Sequence, residues 1–275
     1  MTQHKFSARR RVAERLEDLS VARQRVAERL EDLSIAKLVP SMLTLLGLCS
    51  GATAIRFALA GDWRHAVAAV VVAMLFDMLD GRAARQLGAD TPFGAQLDSL
   101  ADLVSFGVAP GVILYMWSLT RIGDTGWIAA LIFCTCSAVR LARFNIQSAR
   151  DEGATAANPY FTGLPTPAAA CLVLLPMLLS FQLGDEFFGN PVFSAVLMVL
   201  ASALMISRLP TPSIKYMHLP RQYQVAAFAA ICLFVALMIG WPWTTLTAGL
   251  LLYLLSIPVG MIMGRRQRAA PDAQD

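Results

Sequence analysis

Residues 77–102 read DMLDGRAARQLGADTPFGAQLDSLAD, and the fold and chemistry expected of the chain both follow from this stretch. Asp77 and Asp80 are three positions apart, and Asp98 and Asp102 are four apart. Either spacing puts two carboxylates on one face of an α-helix. A polar turn over 86–94, with Gly88, Pro92 and Gly94, separates the pairs. Two helices joined by so short a turn are expected to be antiparallel neighbours on which four carboxylates converge. Close carboxylates repel one another unless cations lie between them. An all-oxygen ligand set suits hard divalent ions, Mg2+ or Mn2+ before Zn2+. The flanking sequences, HAVAAVVVAMLF and LVSFGVAPGVILYMW, look like membrane spans. Acidic side chains inside spans are costly and by default mark function. Helix-end aspartates in plain water would account for one Asp better than for four at paired helical spacing.

The rest of the chain agrees with a membrane setting. Of 275 residues, 56% are hydrophobic, and the mean hydropathy is +0.56. That is too apolar for a soluble domain and typical of a polytopic protein. The expected fold is an all-α membrane bundle of eight helices, at 39–60, 64–85, 95–119, 125–146, 164–183, 191–208, 223–241 and 243–263. Trp241-Pro242-Trp243 is expected to turn the last pair as a tight hairpin at an interface. With the N-terminus inside, 20 of the 23 Lys and Arg fall on the cytoplasmic side; Arg56, Arg64 and Arg121 do not. This positive-inside pattern places both termini and the aspartates at the cytoplasmic face of the inner membrane. The net charge of +4 offers no general basic surface for nucleic acid. Cys49, Cys134, Cys136, Cys171 and Cys232 all lie in apolar segments and read as small buried hydrophobes.

The segment RVAERLEDLS occurs at 11–20 and again at 25–34, a period of two heptads. Residues 8–36 therefore read as an amphipathic helix, either lying on the membrane or pairing with a second copy, unless the repeat is a duplication with no role. The expected organisation is a cytoplasmic helix at 1–37, a membrane core at 38–220, two further spans at 221–264 and a cytoplasmic tail at 265–275.

The pattern Asp77-x2-Asp80-Gly81-x2-Ala84-Arg85-x8-Gly94-x3-Asp98-x3-Asp102 resembles the complete signature of the CDP-alcohol phosphatidyltransferase family. The resemblance implies an enzyme that moves a phosphatidyl group from CDP-diacylglycerol to an alcohol and releases CMP. It implies two divalent cations held by Asp77, Asp80, Asp98 and Asp102, with Asp102 also taking the proton of the acceptor hydroxyl, and it implies a homodimer. Gly81 and Ala84 are then small so that the nucleotide can approach, or else for helix packing in lipid. Arg85 either binds a phosphate or anchors the cytoplasmic side. Thr91 either reaches a phosphate oxygen or caps the next helix. Gly94 completes the signature. At Pro40-Ser41-Met42-Leu43-Thr44, related enzymes often carry Pro-Asn and a Thr on the nucleotide side. This chain has Ser41 instead of Asn, so Ser41 either keeps that contact or caps a plain helix start.

Three other stretches resemble the phosphatidylserine synthase branch of the family: 98–111, then Arg140 to Asn145 with Phe161 to Pro167, and Ser207 to Lys215. They imply L-serine as the acceptor. Its carboxylate needs a cation, and Arg140, Arg143, Arg208 and Lys215 all lie near the expected site, with Asn145 able to accept from the ammonium group. Positive-inside anchoring competes for some of these charges. Glycerol 3-phosphate, inositol phosphate or choline would be alternative acceptors. A cation transporter is the reading from another class, and it would need carboxylates near the bilayer midplane and broken helices in both halves.

Overall fold

The computed structural model describes residues 35–89, 91–151, 160–207, 210–212, 233 and 236–252. The duplicated segment, most of 221–235, the tail after 252, Arg208, Lys215 and Cys232 lie outside the described residues. Helix α1 (Ile35–Leu59) is followed by α2 (Trp63–Leu87) and α3 (Pro92–Asp102). A π-helical turn (Leu103–Val108) continues α3 directly into α4 (Ala109–Trp117). Next come α5 (Asp124–Asp151), strand β1 (Tyr160–Thr162), α6 (Thr166–Leu183), the single turn α7 (Asp185–Phe188), α8 (Pro191–Ile206) and strand β2 (Pro210–Pro212). Residues 236–240 and 242–252 are also helical, with Trp241 between them.

Among the described residues, four stretches are long and apolar enough to cross a membrane: Leu38–Leu59, Pro92–Trp117, Asp124–Gln147 and Thr166–Leu183. Helix α2 is 25 residues long but carries Arg64, Asp77, Asp80, Arg82 and Arg85, and α8 is apolar but shorter at 16 residues. The protein is thus a helical, membrane-type bundle. Local chemistry sets its corners. The Asp62 side chain accepts from His65 N–H and caps α2, which ends at Gly88 in the left-handed region (φ 57°). Thr91 caps α3, with Pro92 in its first turn, and Asn190 caps α8 in the same way, ahead of Pro191.

Three expectations need correction. The first helix begins at Ile35, so Ser41 lies inside it and caps nothing; Pro40 is carried within the helix. The two aspartate helices are not close neighbours: α2 packs chiefly against α1, and α1 also packs against α3 and the π-turn. The third span is one rod in direction but not in winding, because the π-turn follows Asp102 immediately. Ser105, Phe106 and Gly107 on that turn are all buried, so it is enclosed on several sides at once. A Cβ on Gly51 of α1 would come within 2.7 Å of Ser105 Cα, and one on Gly107 within 2.9 Å of Ser137 Cβ in α5. Phe106, Ile113, Leu114, Phe133, Met177 and Met198 fill the core among α4, α5, α6 and α8. Cys49 is exposed, whereas Cys134, Cys136 and Cys171 are half-buried, and all four are free thiols.

The bundle has two distinct ends. At one, Ser118 Oγ and Arg121 Nη1 both donate to the Gly189 carbonyl at 3.1 Å, and the Arg64 guanidinium lies over the Phe181 ring. Gln182 there donates to the Trp243 carbonyl and to Thr247 Oγ1, docking the helix at 242–252 onto the end of α6. At the other end, β1 and β2 pair antiparallel, Tyr160 with Pro212, Phe161 with Thr211 and Thr162 with Pro210. An all-α reading does not anticipate this short ladder.

Gly51→Ala is expected to destabilise the fold by about 1–3 kcal/mol, because the methyl group must displace backbone as well as side-chain atoms. Gly249→Ala, where an added Cβ meets nothing within 4 Å, is expected to be neutral or stabilising by up to about 1 kcal/mol. Thermal unfolding of both variants in detergent checks the pair.

Candidate active site

The carboxylates do converge, and α1 is what brings them together. Asp80 is buried on α2, and its Oδ2 accepts a 2.6 Å hydrogen bond from Thr44 Oγ1 on α1. The Thr44 hydroxyl also lies 3.0 Å from the Pro40 carbonyl. One turn farther along α1, the Gly47 carbonyl accepts from Ser105 Oγ of the π-turn at 3.3 Å. Helix α1 thereby holds both aspartate helices. Asp77, Asp98 and Asp102 each place one carboxylate oxygen within 4.8 Å of the others, and all three side chains are half-buried. Thr44, Gly47, Ala73, Asp77, Asp80, Asp98, Ala101, Asp102, Ser105 and Phe106 line the pocket between them, where the small residues leave the space the carboxylates face.

These residues fit a divalent cation. Mg2+ binds oxygens at about 2.0–2.1 Å, which puts opposite ligands about 4.2 Å apart. Oxygens within 4.8 Å of each other close onto such an ion with small side-chain shifts. The donor set is oxygen only, as hard cations require. The electrostatics point the same way, since three half-buried carboxylates this close repel one another. Arg140 of α5 is near enough to Asp102 for their charges to interact.

The other expected residues fall into three groups. Gly81 adjoins Asp80, and a Cβ there would meet nothing within 4 Å. Among the described residues, the space beside Gly81 is therefore open. Ala84 is half-buried on the same helix and Arg85 is exposed in its last turn. Thr91 accepts from Gly94 N–H at 3.0 Å, so both residues take part in capping α3. Arg140 Nη1 donates to Thr166 Oγ1 at 2.5 Å, Arg143 Nη1 lies 3.5 Å from the Ile206 carbonyl, and Asn145 Oδ1 accepts from Ser99 Oγ at 2.9 Å. Arg208 and Lys215 are outside the described residues. Sequence reasoning missed Ser99, Ser105 and Thr166. Only Thr166 had a visible signal, its place between two prolines in a stretch already singled out.

Asp98→Asn is expected to melt at a higher temperature than the wild type without metal, because one repelling charge is gone. It is expected also to lose the rise in melting temperature that Mn2+ gives the wild type, which at 100 times Kd corresponds to about 2.7 kcal/mol. Melting curves with and without Mn2+ read both effects.

A match to the family described as CDP-alcohol phosphatidyltransferase spans residues 37–207, and one to CDP-alcohol phosphatidyltransferase 2 spans 222–258. The chain is 36% identical over 241 residues to a CDP-diacylglycerol–serine O-phosphatidyltransferase of Mycobacterium leprae, covering 87% of this chain and 79% of that protein. It is 35% identical over 178 residues to the enzyme of that name from Bacillus subtilis, covering 64% of this chain and 91% of that protein. Among solved structures, the phosphatidylinositol phosphate synthase of Mycobacterium tuberculosis with CDP-DAG bound aligns with a TM-score of 0.43 and 25% identity, covering 66% of this chain and 86% of that one. The signature from Asp77 to Asp102 lies wholly inside the first match, and with it the chain belongs to the CDP-alcohol phosphatidyltransferase family.

Proposed function

We propose that the protein is a phosphatidylserine synthase, which transfers the phosphatidyl group of CDP-diacylglycerol to the hydroxyl of L-serine and gives phosphatidylserine and CMP. The observation that carries this reading is the convergence of Asp77, Asp98 and Asp102 within 4.8 Å, with Asp80 held beside them by Thr44. The shared name of the Mycobacterium leprae and Bacillus subtilis relatives supports serine as the acceptor.

Asp77, Asp80, Asp98 and Asp102 would hold two divalent cations, Mg2+ or Mn2+. When bound, these supply charge neutralisation for the pyrophosphate and for the leaving phosphate oxygen. The chain's own residues do the rest. Thr44 orients Asp80 by occupying one of its oxygens. The open face at Gly81 and Ala84 admits the nucleotide, with Pro40, Ser41, Arg85, Thr91 and Gly94 around its entry. The serine hydroxyl oxygen attacks the phosphorus that bears the diacylglycerol, the bond from that phosphorus to the CMP oxygen breaks, and the hydroxyl proton passes to Asp102. Arg140 would receive the serine carboxylate, with Arg143 and Asn145 on the same helix as further candidates, beside Arg208 and Lys215 of the sequence.

The wider setting follows from the charge pattern. Eight spans with both termini cytoplasmic put the aspartates where a CDP-linked lipid and free serine meet, at the inner face of the cytoplasmic membrane. The core at 38–220 carries the chemistry. The helix at 1–37, the two spans at 221–264 and the tail at 265–275 flank it, and a homodimer is the expected assembly.

Purified protein with CDP-diacylglycerol and Mn2+ is expected to release CMP with L-serine and not with glycerol 3-phosphate, inositol phosphate or choline. Asp102→Asn is expected to lower that rate by about 10²–10⁴-fold. Release with a different acceptor alone would keep the family chemistry and overturn the assignment of serine.

A further inference from the structure

Thr166 has no place in the signature, yet it is fully buried and joins two parts of the site. Its hydroxyl accepts from Arg140 Nη1 at 2.5 Å. Arg140 stands three residues beyond Ser137, which packs against Gly107 of the π-turn, so it shares the face of α5 turned toward the segment after Asp102. Fixing one N–H of a planar guanidinium sets the direction of the whole fork.

Thr166 is itself fixed from outside the pocket. It opens α6 directly after Pro165, whose backbone is extended (ψ 144°). The preceding Leu164 N–H donates to the Leu204 carbonyl at 3.3 Å. Gly163 adopts φ +87°, and a Cβ there would come within 2.7 Å of the Met205 carbonyl and 2.9 Å of the Ser207 carbonyl. Beyond it, β1 pairs with β2. The chain before α6 is thus zipped to the last turn of α8 and to residues 210–212, and this strap ends on Thr166.

We propose that Thr166 is a positioning residue for acceptor choice: its hydroxyl holds the Arg140 guanidinium in the orientation that receives the carboxylate of the acceptor. The inference rests on serine being that acceptor. The strap sets where the hydroxyl stands, and the hydroxyl sets where the charge points. An amino alcohol without a carboxylate gains nothing from the arrangement.

The test compares wild type, Thr166→Val and Thr166→Ser, each assayed with CDP-diacylglycerol and Mn2+ against L-serine and serinamide, which lacks the carboxylate. Thr166→Val is expected to raise the KM for serine about tenfold or more, the effect of losing a hydrogen bond to a charged group. The KM for CDP-diacylglycerol and the Mn2+ dependence stay at wild-type values, and the preference for serine over serinamide falls by the same factor. Thr166→Ser restores the wild-type constants. Equal losses with serine and serinamide, or wild-type behaviour of Thr166→Val, would overturn the proposal and leave the serine assignment standing. Wild-type protein that releases no CMP with serine would overturn both. Should Thr166→Val fail to fold, Thr166→Ala decides by the same ratio.

Discussion

Gly51 lies so close to the π-turn that a single methyl group on it would come within 2.7 Å of Ser105 Cα. That approach presses α1 onto the segment that follows Asp102, and the Ser105 hydroxyl then reaches the Gly47 carbonyl across the same gap. Four residues earlier on α1 than Gly47 would be one helical turn, and Thr44 stands within that turn, bonded to Asp80. One helix face thus sets the depth of α3 and the side-chain direction of a carboxylate on α2. If α1 stood farther out, both contacts would be lost together, and the carboxylates would relax apart under their own repulsion.

That repulsion is a cost the fold carries before any cation arrives. Half-buried charges of one sign are unfavourable unless a counter-charge or a hydrogen bond relieves them. Thr44 relieves Asp80, and Arg140 partly balances Asp102. Asp77 and Asp98 stand where a cation serves them best. Phe106, which lines the pocket, is fully buried together with Ile113 and Phe133, so tight packing stands behind the carboxylates.

The two ends of the bundle divide the labour. The end with Arg121, Gly189, Gln182 and Trp243 is tied by bonds to backbone carbonyls, which fix helix positions whatever the chemistry elsewhere. The aspartate end is tied instead by pairs of side chains, Thr44 with Asp80, Ser99 with Asn145 and Arg140 with Thr166. Helix positions and side-chain directions are therefore set together at that end. Gly163 belongs to this end as well, since its positive φ and close approach to the Met205 and Ser207 carbonyls hold the strap.

The sequence by itself determined the family and the reaction class through the signature at 77–102, and it singled out the four aspartates because helical spacing is local and each pair needs only its own helix. It also located the long helices among the described residues to within a few residues, since apolar runs are local signals as well. The start of α1 escaped it, because Pro40 reads as a boundary, whereas the helix begins more than a turn earlier, at Ile35, and carries the proline inside. Only the tertiary structure decided that α1 mediates the convergence, that a π-turn follows Asp102, and that 160–162 pairs with 210–212. Each of these joins residues far apart in the chain through close approach at Gly51, Gly107 or Gly163. A glycine in a sequence does not say what will lie against it.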